Sequence, residues 1–455
     1  MPHCEQCGAP LPEDNSPCAC NAANKDPAPL VAEHSDQSRH RRLLRAAIPL
    51  ILLVGVAVFL VILFSTGSRR ITPVSYPLFR EELVPVAREI QNADGTTSVK
   101  WGYANKQGQM VIEAKFEMAR EFSKSGLAPV KQNALWGYID QAGNFIIALQ
   151  FEDAEPFAEN GFASIKSSGS WGYINKSGTL LINPQFDSAY PFAENGLALV
   201  SIGGKYGYIN EAGVYVIEPR FDAARSFDEN GYAAVLAFEN WGMIDKHGEW
   251  VINPQFDAIE SFTENDLALV CKEDKYGFID REGVYVVKPI YEYAESFSEG
   301  LALVRQDGKY GYIDKKGAVA IAPTYKSALS FAENGLAAVC IAENAGLWGY
   351  INKSGIVVIA AQYTEAGSFS NGFAAVKKDG KWSYVDKNGA VVQTFAEDHL
   401  FAGDFTTDGY AIVIRVDAES GKPTYFIINK SGKLSEDGYL FVLPYSMAHS
   451  PEAAR

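Results

Sequence analysis

Cysteine is scarce in this 455-residue chain: six in all, four of them within the first 20 residues. A scaffold held by disulfides is thereby excluded, because such scaffolds are cysteine-dense. Basic charge is also short, with 40 Lys and Arg against 55 Asp and Glu and a formal net charge of −15. Nucleic-acid binding needs a basic surface to displace counterions, so nucleic acid is not an expected partner. Histidine is rare, and beyond residue 64 only His247, His399 and His449 occur. There is no G-x-S-x-G, H-E-x-x-H or Walker loop. The chain therefore reads as non-enzymatic.

Long apolar runs are equally rare, and the one at Ala46–Phe64 has no charge in 19 residues. As a helix it would extend roughly 28 Å, about one hydrocarbon core. A cleaved signal peptide fits poorly, because the run begins 46 residues in and exceeds the usual apolar core of ~7–15 residues. Arg39, Arg41, Arg42 and Arg45 precede it, and Arg69 and Arg70 follow. The positive-inside rule then predicts a single-pass protein with a cytoplasmic N-terminus and everything after the span extracytoplasmic.

What is abundant is repetition. Trp101-Gly102, Trp136-Gly137, Trp171-Gly172, Tyr206-Gly207, Trp241-Gly242, Tyr276-Gly277, Tyr310-Gly311 and Trp348-Gly349 recur at steps of 34 to 38 residues. Trp382-Ser383 and Tyr425-Phe426 continue the series in weaker form. Four residues past each aromatic stands Asn or Asp, from Asn105 and Asp140 to Asn429; seven past it stands Gly, from Gly108 to Gly432. Phe recurs later in the unit, as at Phe122, Phe157 and Phe331.

The unit reads as a β-meander. In Leu301–Pro323, Asp307-Gly308 suits a type I′ hairpin, which needs positive φ. Asp314 can bond its own downstream backbone and Gly317 can take the left-handed conformation. Three strands, near 301–304, 310–313 and 318–321, are expected, with Pro323 ending the pairing. Alone they cannot bury an apolar face, whereas stacked copies can. The Trp or Tyr before Gly, the largest apolar group of the unit, is expected to supply much of that burial.

WGYIDQAG, WGYINKSG and YGYIDKKG, each leading into V-I-x-P-x-F-D-x-A-x-x-F-x-E-N-G, resemble the WG-repeat family of bacterial proteins over roughly residues 78–432. The resemblance implies β-rich tandem repeats, binding roles and no catalytic residues to carry over. The expected fold is all-β: three-stranded repeats of about 35 residues in an open or propeller-like array. Ten units exceed the ~4–8 blades usual in a closed propeller, which favours the open arrangement.

Cys4 and Cys7 within C-E-Q-C-G resemble the first knuckle of a bacterial zinc ribbon, and Cys18 and Cys20 would complete a four-thiolate zinc site. Such a closed site is structural. The second pair is one residue shorter than the usual C-x-x-C. Cys271 and Cys340 share one repeat position two units apart, too far for a disulfide, and read as small apolar residues. The Asn/Asp column reads as turns in preference to calcium loops, which need several carboxylates and a bidentate Glu. The Glu-Asn pairs, such as Glu159-Asn160 and Glu194-Asn195, read as solvated turns that would align into an acidic stripe.

The chain thus divides into a zinc-ribbon-like module (1–20), a polar linker with a basic flank (21–45), a membrane span (46–64), ten repeats (71–445) and a tail (446–455). The expected function is a membrane-anchored scaffold whose repeats bind a protein or a cell-envelope polymer. A signalling component coupling the repeats to the zinc module is the alternative.

Overall fold

Alternating apolar positions broken by Gly, Asn and Asp favour short strands and tight hairpins over helices. A computed structural model describes residues 77–442, apart from 264, 342–345, 397–398, 417–420 and 436. The four N-terminal cysteines, the run 46–64 and the tail 446–455 lie outside the described residues. Among the described residues every regular element is a β-strand, and the strands form ten small antiparallel sheets, the blades of a β-propeller.

Blade 2 represents the repeat, with strands Met118–Ala119, Ala128–Gln132, Leu135–Ile139 and Phe145–Phe151 side by side in chain order. The expected three-stranded unit is therefore corrected to four strands. The added strand is a two-residue piece of the connector, pairing Met118 with Lys131 and Ala119 with Val130. Two residues carry no alternation, so periodicity could not reveal it.

A second correction concerns proline. Pairing does not stop there: the fourth strand Leu180–Phe186 runs through Pro184. Trp171 faces Phe186 while Tyr173 faces Ile182, so a bulge intervenes. Proline is tolerated in a bulge on an edge strand, where the ladder does not need its N–H.

The same bulge explains the recurrent aromatic-Gly pair. A Cβ on Gly172 would lie 2.5 Å from the Ile182 carbonyl oxygen and 2.6 Å from the Pro184 nitrogen. Gly137, Gly207, Gly242, Gly277, Gly311 and Gly349 face the same pressure from their own bulges.

The array is closed, which corrects the expectation of an open one. Blade 1, built on Leu83–Gln91, Thr97–Asn105 and Met110–Phe116, has no first strand from its own part of the chain. Phe441–Val442 fills the place, pairing with Ala87 and Val86. The register is that of blade 2, because Val86 and Val130 hold equivalent repeat positions. Leu440 N–H donates to the Ala87 carbonyl at 2.9 Å, and the Asp408 carboxylate accepts the N–H groups of Leu78 and Phe79 at 3.0 and 2.9 Å. One apolar cluster spans the seam, joining Leu78, Val84 and Val86 to Tyr425, Ile427 and Tyr439. The last blade thus passes its chain to the first as every blade does to the next.

Candidate functional site

The recurring side chains sort by what they touch. The first column is the turn after the third strand. The Asp140 carboxylate accepts the N–H of Ala142 at 3.0 Å and of Asn144 at 2.8 Å. Asn105, Asn175, Asn210, Asp245, Asp280, Asp314, Asn352, Asp386 and Asn429 do likewise. These bonds hold the Asp140 and Asp386 carboxyls below the usual range. The column is structural, as its turn-like spacing predicts. The glycine that follows has φ near +80°, as at Gly143 (+83°), and rests on Ile112 of the preceding blade.

The second column is the tyrosine two residues past the aromatic-Gly start. Tyr103, Tyr138, Tyr173, Tyr208, Tyr312, Tyr350 and Tyr384 are all buried. Each hydroxyl donates to a backbone carbonyl in the next blade; Tyr138 reaches Glu155 at 2.7 Å and Tyr208 reaches Arg225 at 2.7 Å. Each ring packs on the recurrent Phe of that next blade, as Tyr208 does on Phe227 at 4.7 Å between centroids. Burial pushes these phenols well above their ordinary pKa, with nearby Glu121 adding to the effect at Tyr103. The aromatic before Gly varies in depth: Trp136 and Trp241 are buried, whereas Trp171, Tyr206, Tyr276, Tyr310 and Trp348 are only half-buried. The tyrosine hydroxyl is the recurrent hydrogen-bonded tie between blades; in the column of the first aromatic, Trp382 adds one such bond, to the Leu400 carbonyl at 2.9 Å.

The third column is the acid in F-[D/E]-x-A. Glu117 accepts the turn amides of Asn133 and Ala134, Glu152 that of Gly169, and Glu292 that of Gly308. The Glu-Asn pairs behave as turns, with the Asn160, Asn195 and Asn334 side-chain oxygens accepting the amide two residues on. The expected acidic stripe is partly neutralised. Lys124 holds Glu159 as an ion, and Glu333 accepts the Asn371 amide at 3.0 Å. Cys271 and Cys340 are thiols outside any disulfide, and the Cys340 Sγ lies 3.0 Å from the Gly346 oxygen.

What remains for contact with other molecules is the outer row of the fourth strands. Each fourth strand of blades 1 to 9 ends its sheet. Its first apolar residues face solvent at Val111, Ile146 (51% exposed), Leu181, Val216, Val286, Val358 and Val392. Phe238 adds an 83%-exposed ring at a hairpin tip with φ of 54°, a left-handed backbone unusual for Phe.

Blade 9 departs from this plan. From Trp101 to Phe116, and likewise through Trp348 to Tyr363, the aromatic starts lie 15 residues before their partners. In blade 9 the Phe395 N–H reaches the Trp382 carbonyl only 13 residues on, and Ser383 faces Thr394 directly. The two residues of the bulge are missing. A recess of about 480 Å³ opens beside the gap, lined by Tyr363, Val376, Lys378, Asp379, Lys381, Ser383, Val391 and Thr394.

The family model for the WG containing repeat matches residues 101–136, 136–169, 171–206, 206–236, 241–276, 276–310, 310–344 and 348–382. The chain belongs to the WG-containing repeat family. No curated protein matches its sequence. Among solved structures, the WG-repeat ring is similar to a eukaryotic initiation factor at 11% identity and a TM-score of 0.46, covering 80% of this chain and 97% of that one. It is also similar to Hsv2 of Kluyveromyces lactis, at 11% identity and a TM-score of 0.31, over 54% of this chain and 96% of that one. Both likenesses are distant and carry no functional argument. The WG-repeat matches end at residue 382, where the two-residue loss begins to alter the blade.

Proposed function

We propose that this chain is a non-catalytic binding scaffold, anchored in the cell membrane by residues 46–64, with its propeller outside the cytoplasm. The favoured occupant is a protein partner that lays an extended apolar segment along a fourth-strand edge. A cell-envelope polymer is the other occupant considered.

The observation that carries this reading is the recurrence of exposed apolar residues on strands that end their sheets. Such an edge offers a row of backbone donors and acceptors, and the flanking apolar side chains add burial. The repeated polar residues support it from the other direction, because they are engaged in backbone bonds within and between blades. Membrane orientation rests on the four Arg before the run and the two after it. Cys4, Cys7, Cys18 and Cys20 supply the donor set of a closed, structural zinc site on the cytoplasmic side.

The test is capture of envelope proteins by the full-length chain. The double substitution Ile146→Lys, Leu181→Lys should reduce capture without lowering the melting temperature; unchanged capture would end the edge reading. Protease added to intact cells should digest the propeller and spare residues 1–45. A signalling role remains as the second reading, because the cysteine module and the ring lie on opposite sides of the run. Under it, Cys4→Ser with Cys7→Ser abolishes an output while the ring stays displayed.

A further inference from the structure

The recess on blade 9 follows from a deletion that the chain has accommodated and not filled. Where eight other blades press a bulge onto glycine, blade 9 lacks that bulge and carries Ser383. The Ser383 hydroxyl lies 3.1 Å from the Thr394 hydroxyl, so the floor left by the missing backbone is polar. The walls are different. The exposed Val391 brings apolar surface, while Val376 is buried behind the floor, and Lys378 and Lys381 bring two ammonium groups from either side of the Asp379-Gly380 turn. Lys378 is held by the Gln362 side chain at 2.9 Å. The lining thus carries two lysines against one carboxylate, Asp379, in a chain of net charge −15.

We propose that this recess is a binding site for an acidic saccharide unit, a hexuronate. The volume lies within the ~300–1,000 Å³ of small-molecule sites. A sugar ring has one face of C–H groups for Val391 and a rim of hydroxyls for Ser383 and Thr394. Its carboxylate meets the lysines as a charge-assisted pair. A single negative charge suits the site better than a phosphate dianion, because the lining sets one carboxylate, Asp379 of the turn, against the two lysines. The site goes beyond the edge-docking reading, since residues on blades 2 and 3 that test the edges take no part in it.

The experiment is calorimetric titration of the full-length chain with glucuronate, glucose, acetate and inorganic phosphate in parallel. Glucuronate should bind, and glucose and acetate should each bind roughly tenfold more weakly or not at all. Lys378→Gln with Lys381→Gln should weaken glucuronate roughly tenfold or more at an unchanged melting temperature. Val391→Trp, at a solvent-exposed position, should block the recess without removing a charge. No heat with glucuronate would overturn the proposal, as would equal binding of acetate or phosphate, or affinity that survives both variants. Envelope-protein capture measured on the same variants separates the two readings: a recess that fails while capture persists leaves the edges standing.

Discussion

At the scale of single residues, the tyrosine hydroxyl decides how firmly neighbouring blades hold. Tyr208→Phe leaves the Arg225 carbonyl without that donor. The expected loss is about 1–2 kcal/mol, read as a lower denaturation midpoint at unchanged slope. Blades 5 and 6 carry Met243 and Phe278 in the tyrosine's place. Phe278→Tyr should therefore gain about 1 kcal/mol if its hydroxyl finds the Glu295 carbonyl as its sisters do. The pH dependence has a definite sign. These phenols have folded pKa values above their unfolded ones, so the fold favours the neutral form. Their contribution is complete below about pH 10 and is lost as pH rises further. The phenolate absorbance lost in Tyr208→Phe should then appear together with loss of β-sheet circular dichroism; its appearance in an intact fold would contradict this. A contrasting pair tests the bulge. Gly207→Ala drives a Cβ to 2.6 Å from the Ile217 oxygen and should cost about 1–3 kcal/mol, whereas Ser383→Gly should be nearly neutral.

At the scale of elements, the hairpins show what sequence periodicity can and cannot convey. Asp307 and Gly308 have φ of 49° and 72°, the type I′ turn that their identities announce. The equivalent turn in blade 5 is Phe238-Glu239, with φ of 54° and 65° and neither residue suited to it. Phe238→Asn with Glu239→Gly should raise stability by roughly 1 kcal/mol, measured by thermal melting. If Phe238 is one of the partner contacts, the same change lowers capture as it raises the melting temperature. The meander, the Asx turns and the positive-φ glycines were legible because each depends on neighbours within a few residues. The depth of the two aromatics was not. Trp171 and Tyr173 lie two apart and share a sheet face, so alternation gives them equal claims. Only the packing of the next blade buries Tyr173 and leaves Trp171 half-exposed. The recess was marked by two local signs, Ser383 in place of Gly and the shortened step to Phe395. Their meaning required the bulge they delete.

At the scale of the whole ring, closure turns ten weak units into one cooperative body. A linear array leaves two apolar faces open, whereas the ring leaves none, because Phe441–Val442 supplies the edge that blade 1 lacks. Closure was illegible in sequence for a physical reason: it is decided by about 330 residues of accumulated rotation and by a pairing between chain ends, as the separation between Asp408 and Leu78 shows. The seam also lacks the tyrosine tie, since Ile427 stands where seven of the blades have Tyr. In its place Asp408 accepts two backbone N–H groups, Arg88 pairs with Asp437 and Tyr439 donates to Gly108. Asp408→Ala removes the carboxylate that anchors Leu78 and Phe79, and a charged acceptor of this kind contributes about 1.5–3 kcal/mol. Its effect should be uneven. Amide exchange should accelerate first in blades 1 and 10, on either side of the seam, while blades 4 to 6 keep their protection until global unfolding. An equal rise in exchange around the ring would mean that the seam is no weaker than its other joints. The closing strand would then be one more interface among ten, and not the gate through which the ring opens.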